Sequence, residues 1–105
     1  MKVTFDKTYL LELYTSGKTS DKKYRFQPDV VRRYVKVLDI MMEAEDVNTL
    51  MLFGGLHYEH LIGDKSGLSS VRVNKQYRIE FTESTENGAK VANICNIVEL
   101  SNHYK

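Results

Sequence analysis

The chain is poor in the residues that build the commonest metal and redox sites. In 105 residues it has one cysteine, one proline, no tryptophan and three histidines. A single cysteine, Cys95, excludes an internal disulfide and every multi-cysteine zinc module. Cys95 lies in an apolar stretch and reads as a small core residue rather than a nucleophile. His57 and His60 stand three apart without thiolate company, so no metal and no cofactor is expected. No apolar run approaches the roughly eighteen residues of a membrane span, and the opening Met-Lys-Val-Thr-Phe-Asp-Lys has no signal-peptide core. The expectation is a cytoplasmic protein with no membrane partner. Paired carboxylates, a nucleophile elbow and a phosphate-cradling glycine loop are missing as well.

What is present describes an ordinary globular chain, 42% hydrophobic and 28% charged, of a length that suits a single domain over residues 1–105. The net charge is only +1, but it is unevenly spread. Residues 18–36 hold seven basic and two acidic side chains; residues 37–64 hold six acidic and none basic; residues 65–82 hold four basic and one acidic. Such a chain can offer a basic face to a polyanion and keep an acidic flank elsewhere.

Apolar periodicity places the elements. Val3 and Phe5 alternate as in a short strand. Leu10, Leu13 and Tyr14 have helical spacing, with Gly17 as a C-terminal stop. Residues 18–26 are polar and basic, hence a loop. Pro28 and Asp29 suit a helix N-terminus, and residues 30–45 carry the stripe Val30, Tyr34, Val37, Leu38 and Met41. A short helical turn follows Asp46 and ends near Phe53, where Gly54-Gly55 breaks it. Strands are then expected at residues 56–62, at two runs within 63–81, and at 89–100 after the Asn87-Gly88 turn. The fold class is α+β: a small, mostly meandering antiparallel sheet of about five strands, with two to three N-terminal helices on one face.

Residues 63–81 fix a register by parity. Val71 and Val73 alternate with Ser70, Arg72 and Asn74; Tyr77, Ile79 and Phe81 alternate with Arg78, Glu80 and Thr82. A hairpin that keeps the apolar residues together requires a three-residue loop at 74–76, because a one-residue slip inverts every side chain. Val71 then faces Ile79, Ser70 faces Glu80, and Arg72 faces Arg78. Like charges opposed on a ladder are destabilising, so the pair points to a bound anion such as phosphate. The competing explanation is a solvated surface network in which Glu80 neutralises both arginines. Two arginines with histidine and tyrosine suit RNA cleavage, where the RNA supplies its own 2′-hydroxyl nucleophile and the protein supplies a proton acceptor, a donor and cations. Arg72, Arg78, Lys75, Tyr77, His57, His60, His103 and Tyr104 are the candidates.

The run from Leu61 to Phe81, Leu-Ile-Gly-Asp-Lys-Ser-Gly-Leu-Ser-Ser-Val-Arg-Val-Asn-Lys-Gln-Tyr-Arg-Ile-Glu-Phe, resembles the RelE/ParE toxin superfamily, and most closely its HigB branch. The terminal His103-Tyr104 and the order of elements agree with it. The resemblance implies a RelE-like fold and a metal-independent mRNA endonuclease working in the ribosomal A site and leaving a 2′,3′-cyclic phosphate. It also implies a cognate helix-turn-helix, HigA-like antitoxin, with operator DNA bound only through the toxin–antitoxin complex. By position it assigns Arg72 and Arg78 to the scissile phosphate, the pair His103 and Tyr104 to proton transfer, and His60 to a neighbouring site position. Many relatives have lysine where Ile62 stands, and Lys65 or Lys75 would then supply the phosphate-binding cation. Their tail commonly reads Asp-Tyr-His rather than Asn102-His103-Tyr104. A ParE-like toxin acting on gyrase and a non-catalytic binding protein of the same fold are the alternatives.

Overall fold

The computed structural model describes residues 1–102. Strand β1 (Lys2–Phe5) leads into helices α1 (Thr8–Ser16), α2 (Pro28–Glu43) and α3 (Val47–Met51), followed by β2 (Glu59–His60), β3 (Ser69–Arg72), β4 (Arg78–Ser84) and β5 (Ile94–Ser101). The five strands are ordered β1-β5-β4-β3-β2. Strands β2 to β5 form the expected meander, and β1 closes the other edge by pairing parallel to β5. This is the α+β architecture expected from the sequence.

The helices end where their residues dictate. Gly17 takes a left-handed conformation at φ 78° and donates its N–H to the Leu13 carbonyl, which stops α1. Helix α2 starts on Pro28 and buries Val30, Val31, Tyr34, Val37, Leu38 and Met41. It stops two residues before the expected boundary because Ala44 turns extended and buries itself in the core. The Asp46 carboxylate accepts the Thr49 N–H and caps α3.

These helices cover one sheet face, where Val71, Ile79, Phe81, Cys95 and Ile97 are wholly buried. Each of the four larger side chains, Val71, Ile79, Phe81 and Ile97, contributes about 1.5–3 kcal/mol on leaving water. A bulge between Glu80 and Phe81 keeps the faces in phase: Glu80 pairs with Glu99 and Phe81 with Ile97, leaving one extra residue in β5. The loop at 18–27 is less polar in effect than its composition implies. Tyr24 stacks flat on Tyr9 with ring centroids 3.6 Å apart, and Phe26 meets the edge of Tyr77 at 5.6 Å.

Two expected strands are shorter than expected. Leu56 is buried in a 3-10 turn (Gly54–Leu56), and His57 then adopts φ 46°, so only Glu59 and His60 remain to form β2. Residues 89–93 belong to the turn, with Glu86 N–H donating to the Asn93 side chain, so β5 begins at Ile94.

The hydroxyl of Tyr34, fully buried, donates to the Leu10 carbonyl at 2.7 Å and ties α2 to α1. Tyr34→Phe is expected to lose about 1 kcal/mol of unfolding free energy in urea titrations. An unchanged midpoint would mean that this hydrogen bond contributes nothing to the helix pairing.

Candidate functional site

The β3–β4 hairpin has the register that parity requires: Ser70 opposes Glu80, Val71 opposes Ile79 and Arg72 opposes Arg78. Val73 N–H donates to the Tyr77 carbonyl at 3.0 Å and closes the loop. Inside it the Asn74 side-chain oxygen accepts the N–H groups of Gln76 and Tyr77 at 2.9 and 2.7 Å.

The polar face of this hairpin is not a solvated surface. Ser70 and Glu80 are at most 1% exposed, and Arg78 is also buried. Buried charges require partners, and both have them. Lys65, from the 3-10 turn Gly63–Lys65, places its ammonium 2.5 Å from the Glu80 carboxylate. Arg78 donates Nε to Ser70 Oγ at 2.8 Å and Nη2 to the backbone carbonyl of His57, with Glu59 at 3.8 Å. The ordinary surface network considered from the sequence is therefore replaced by a buried polar layer.

Arg72 runs the other way, toward the hairpin loop. Its Nε donates to the Asn74 carbonyl at 3.2 Å, and its Nη1 lies 3.4 Å from Nε2 of His57. A guanidinium can only donate, so this contact requires Nε2 to accept. His57 thus touches both arginines, one through its carbonyl and one through its ring. Its left-handed backbone, unusual for a residue with a Cβ, is held by the Arg78 contact and by its own N–H on the Gly54 carbonyl at 3.3 Å.

His60 is placed differently from the expectation. In a two-residue strand successive side chains point to opposite faces. Glu59 pairs with Ser70 on the arginine face, whereas His60 pairs with Ser69 on the face shared with Phe81. There His60 Nδ1 lies 3.0 Å from Ser69 Oγ, and Ser69 donates to Glu83 at 2.5 Å. Tyr58 also donates to Glu83, and burial, then that bond, raise its phenol well above the ordinary tyrosine range. The histidine brought to the arginines is His57. The strand expected at 56–62 hid this, since the turn at Leu56–His57 reorients the ring.

Lys75 is exposed in the loop and lines a groove with Arg72 and Arg33. Ile62 is 88% exposed and belongs to no core. His103 and Tyr104 lie outside the described residues. Burial, and then the Glu83 charge, push the Cys95 thiol up to about 12, so it is no nucleophile at neutral pH. Among the described residues no group of three or more His, Cys, Asp and Glu side chains could hold a metal ion, and no helix is long and apolar enough to cross a membrane.

Helices thus cover one face of the five-stranded sheet, and the cross-strand arginine pair lies on the other. Solved structures share the fold over nearly the whole chain. The YoeB–YefM complex from Staphylococcus aureus has a TM-score of 0.56 at 19% identity, covering 99% of this chain and 98% of that one. The YoeB/ParE toxin from Agrobacterium tumefaciens has 0.52 at 15% identity, covering 99% and 100%. The family model for the RelE-like toxin of the type II toxin–antitoxin system HigB matches residues 3–95. Toxin HigB-1 of Vibrio cholerae serotype O1 (strain ATCC 39315 / El Tor Inaba N16961) is 33% identical over 82 residues, 77% of this chain and 82% of that protein. The chain belongs to the HigB-like toxin family.

Removing one member of a buried ion pair leaves the other uncompensated. Lys65→Met is expected to cost about 1–3 kcal/mol, since the lysine itself is one-third exposed, and the double change Lys65→Met/Glu80→Gln should recover a large part. A double variant whose cost equals the sum of the Lys65→Met and Glu80→Gln costs would show that the pair is not coupled.

Proposed function

We propose that this chain is a ribosome-dependent mRNA endonuclease that cleaves by attack of the RNA 2′-hydroxyl, at a site built from Arg72, Arg78 and His57. The observation that carries the reading is the His57 ring nitrogen 3.4 Å from the guanidinium of a cross-strand arginine pair. It places a proton acceptor beside a concentrated positive charge, the combination that transfer through a phosphorane requires.

In this mechanism Arg72 turns from His57 to the non-bridging oxygens of the scissile phosphate, which frees Nε2 to accept the 2′-hydroxyl proton. The 2′-oxygen bonds to phosphorus, the bond to the 5′-oxygen breaks, and the products are a 2′,3′-cyclic phosphate and a 5′-hydroxyl. The leaving oxygen takes its proton from the tail pair His103 and Tyr104. Arg78 is a positioning residue: its guanidinium holds the His57 carbonyl and adds charge from behind the reacting atoms. Lys65 is held by Glu80, so its part is to keep that buried carboxylate paired beside the arginines. His60 has no part in the reaction.

Family membership supports a cytoplasmic toxin restrained by a cognate antitoxin, with mRNA in the ribosomal A site as its target. YoeB of Staphylococcus aureus is found in complex with YefM. A partner of the HigA class would play that part here and carry the complex to operator DNA.

Expression in a host is expected to arrest translation with cut mRNA ending in a 2′,3′-cyclic phosphate. His57→Ala should lower cleavage by about 10²–10⁴, as loss of a general base does, and Arg72→Ala should act in the same direction. DNA damage with intact message would instead indicate a gyrase-directed toxin. Toxicity surviving Arg78→Ala and His103→Ala would show that the active site lies elsewhere.

A further inference from the structure

Beside the arginine pair, the first turns of α2 and the tip of the β3–β4 hairpin enclose an open groove of about 570 Å³. That volume lies within the usual range for a small-molecule or nucleotide site. Three cations line it: Arg33 from α2, Arg72 from β3 and Lys75 from the hairpin loop. One carboxylate, Asp29, is also present, and it is already paired with Arg32. Arg33 and Lys75 make no ion pair among the described residues. Two cations without an ion-pair partner among the described residues, forty-two positions apart in sequence, thus share one groove with an arginine of the cleavage site.

The remaining polar lining is Asn74 and Gln76. The Asn74 oxygen is occupied by two backbone N–H groups, so the group it has to offer a ligand is its NH₂. The groove therefore presents guanidinium, ammonium and amide donors, which match phosphate oxygens and base carbonyls.

We propose that this groove is a second nucleotide subsite, which holds, through Arg33 and Lys75, the RNA nucleotide one step beyond the two that flank the scissile bond. The inference rests on the cleavage reading above and extends it, because Arg72 lines the groove and also touches His57. A strand whose scissile phosphate sits on Arg72 continues directly between α2 and the hairpin tip. Arg33 anchors that continuation from a helix, a more rigid support than the loop that carries Lys75.

The test compares non-cleavable 2′-O-methyl dinucleotide and trinucleotide RNA as ligands of the full chain, by calorimetry across a salt series. The trinucleotide should bind on the order of fivefold tighter than the dinucleotide, with a steeper salt dependence. Arg33→Ala should remove that gain and about one unit of salt slope, with dinucleotide affinity unchanged. The charge-retaining Arg33→Lys should restore part of it. An Arg33→Ala variant with unchanged trinucleotide affinity and slope would overturn the subsite. So would weakened binding to ribosomes lacking mRNA with trinucleotide affinity intact, which assigns the groove to ribosomal RNA. If the dinucleotide fails to bind, or binds equally well to Arg72→Ala, the cleavage reading itself falls and the subsite with it.

Discussion

Everything on both sheet faces depends on the parity of the β3–β4 hairpin. A loop closed by Val73 and Tyr77 sends Val71 and Ile79 into the helix-covered core, and the same alternation forces Arg72 and Arg78 together on the other face. The apolar requirement is the stronger one. Burying Val71 and Ile79 is worth several kcal/mol, whereas like charges opposed on a ladder oppose folding by no more than about 1 kcal/mol. The core thereby holds two cations in a position they would not choose for themselves. The structure relieves the conflict by sending the two guanidinium groups in opposite directions, Arg78 toward β2 and Arg72 toward the loop.

That divergence explains the role of His57. Its backbone carbonyl satisfies the buried Arg78, and its ring receives the more exposed Arg72. A local backbone conformation that is costly for a residue with a Cβ persists because a buried guanidinium fixes it. The site is thus assembled across three segments: a tight turn, an edge strand and a hairpin. Near it lie the Lys65–Glu80 pair and the groove lined by Arg33 and Lys75.

The sheet, its meander and the arginine pair were legible from apolar alternation because period-two patterning is a direct record of which face is buried. Gly17, Pro28 and Asp46 likewise announced helix ends through their own backbone chemistry. What could not be read was the chain between Leu56 and Ile62. A buried leucine followed by a left-handed histidine has no composition signal, so a strand was expected where a turn occurs, and His60 was preferred to His57. The burial of Glu80 was equally hidden, since its partner Lys65 comes from a turn fifteen residues earlier. Arg33 reads in sequence as one more polar residue of an amphipathic helix; only the fold places it in one groove with Lys75.

The central claim is that His57, and not His60, belongs to the phosphate site. Nitrogen-15 NMR of the imidazole rings, followed during titration with a non-cleavable 2′-deoxy oligonucleotide, tests it most directly. The His57 ring nitrogens are expected to shift as Arg72 moves to the phosphate, while those of His60, beside Ser69 and Glu83, stay unchanged. A shift at His60 with His57 silent would contradict it.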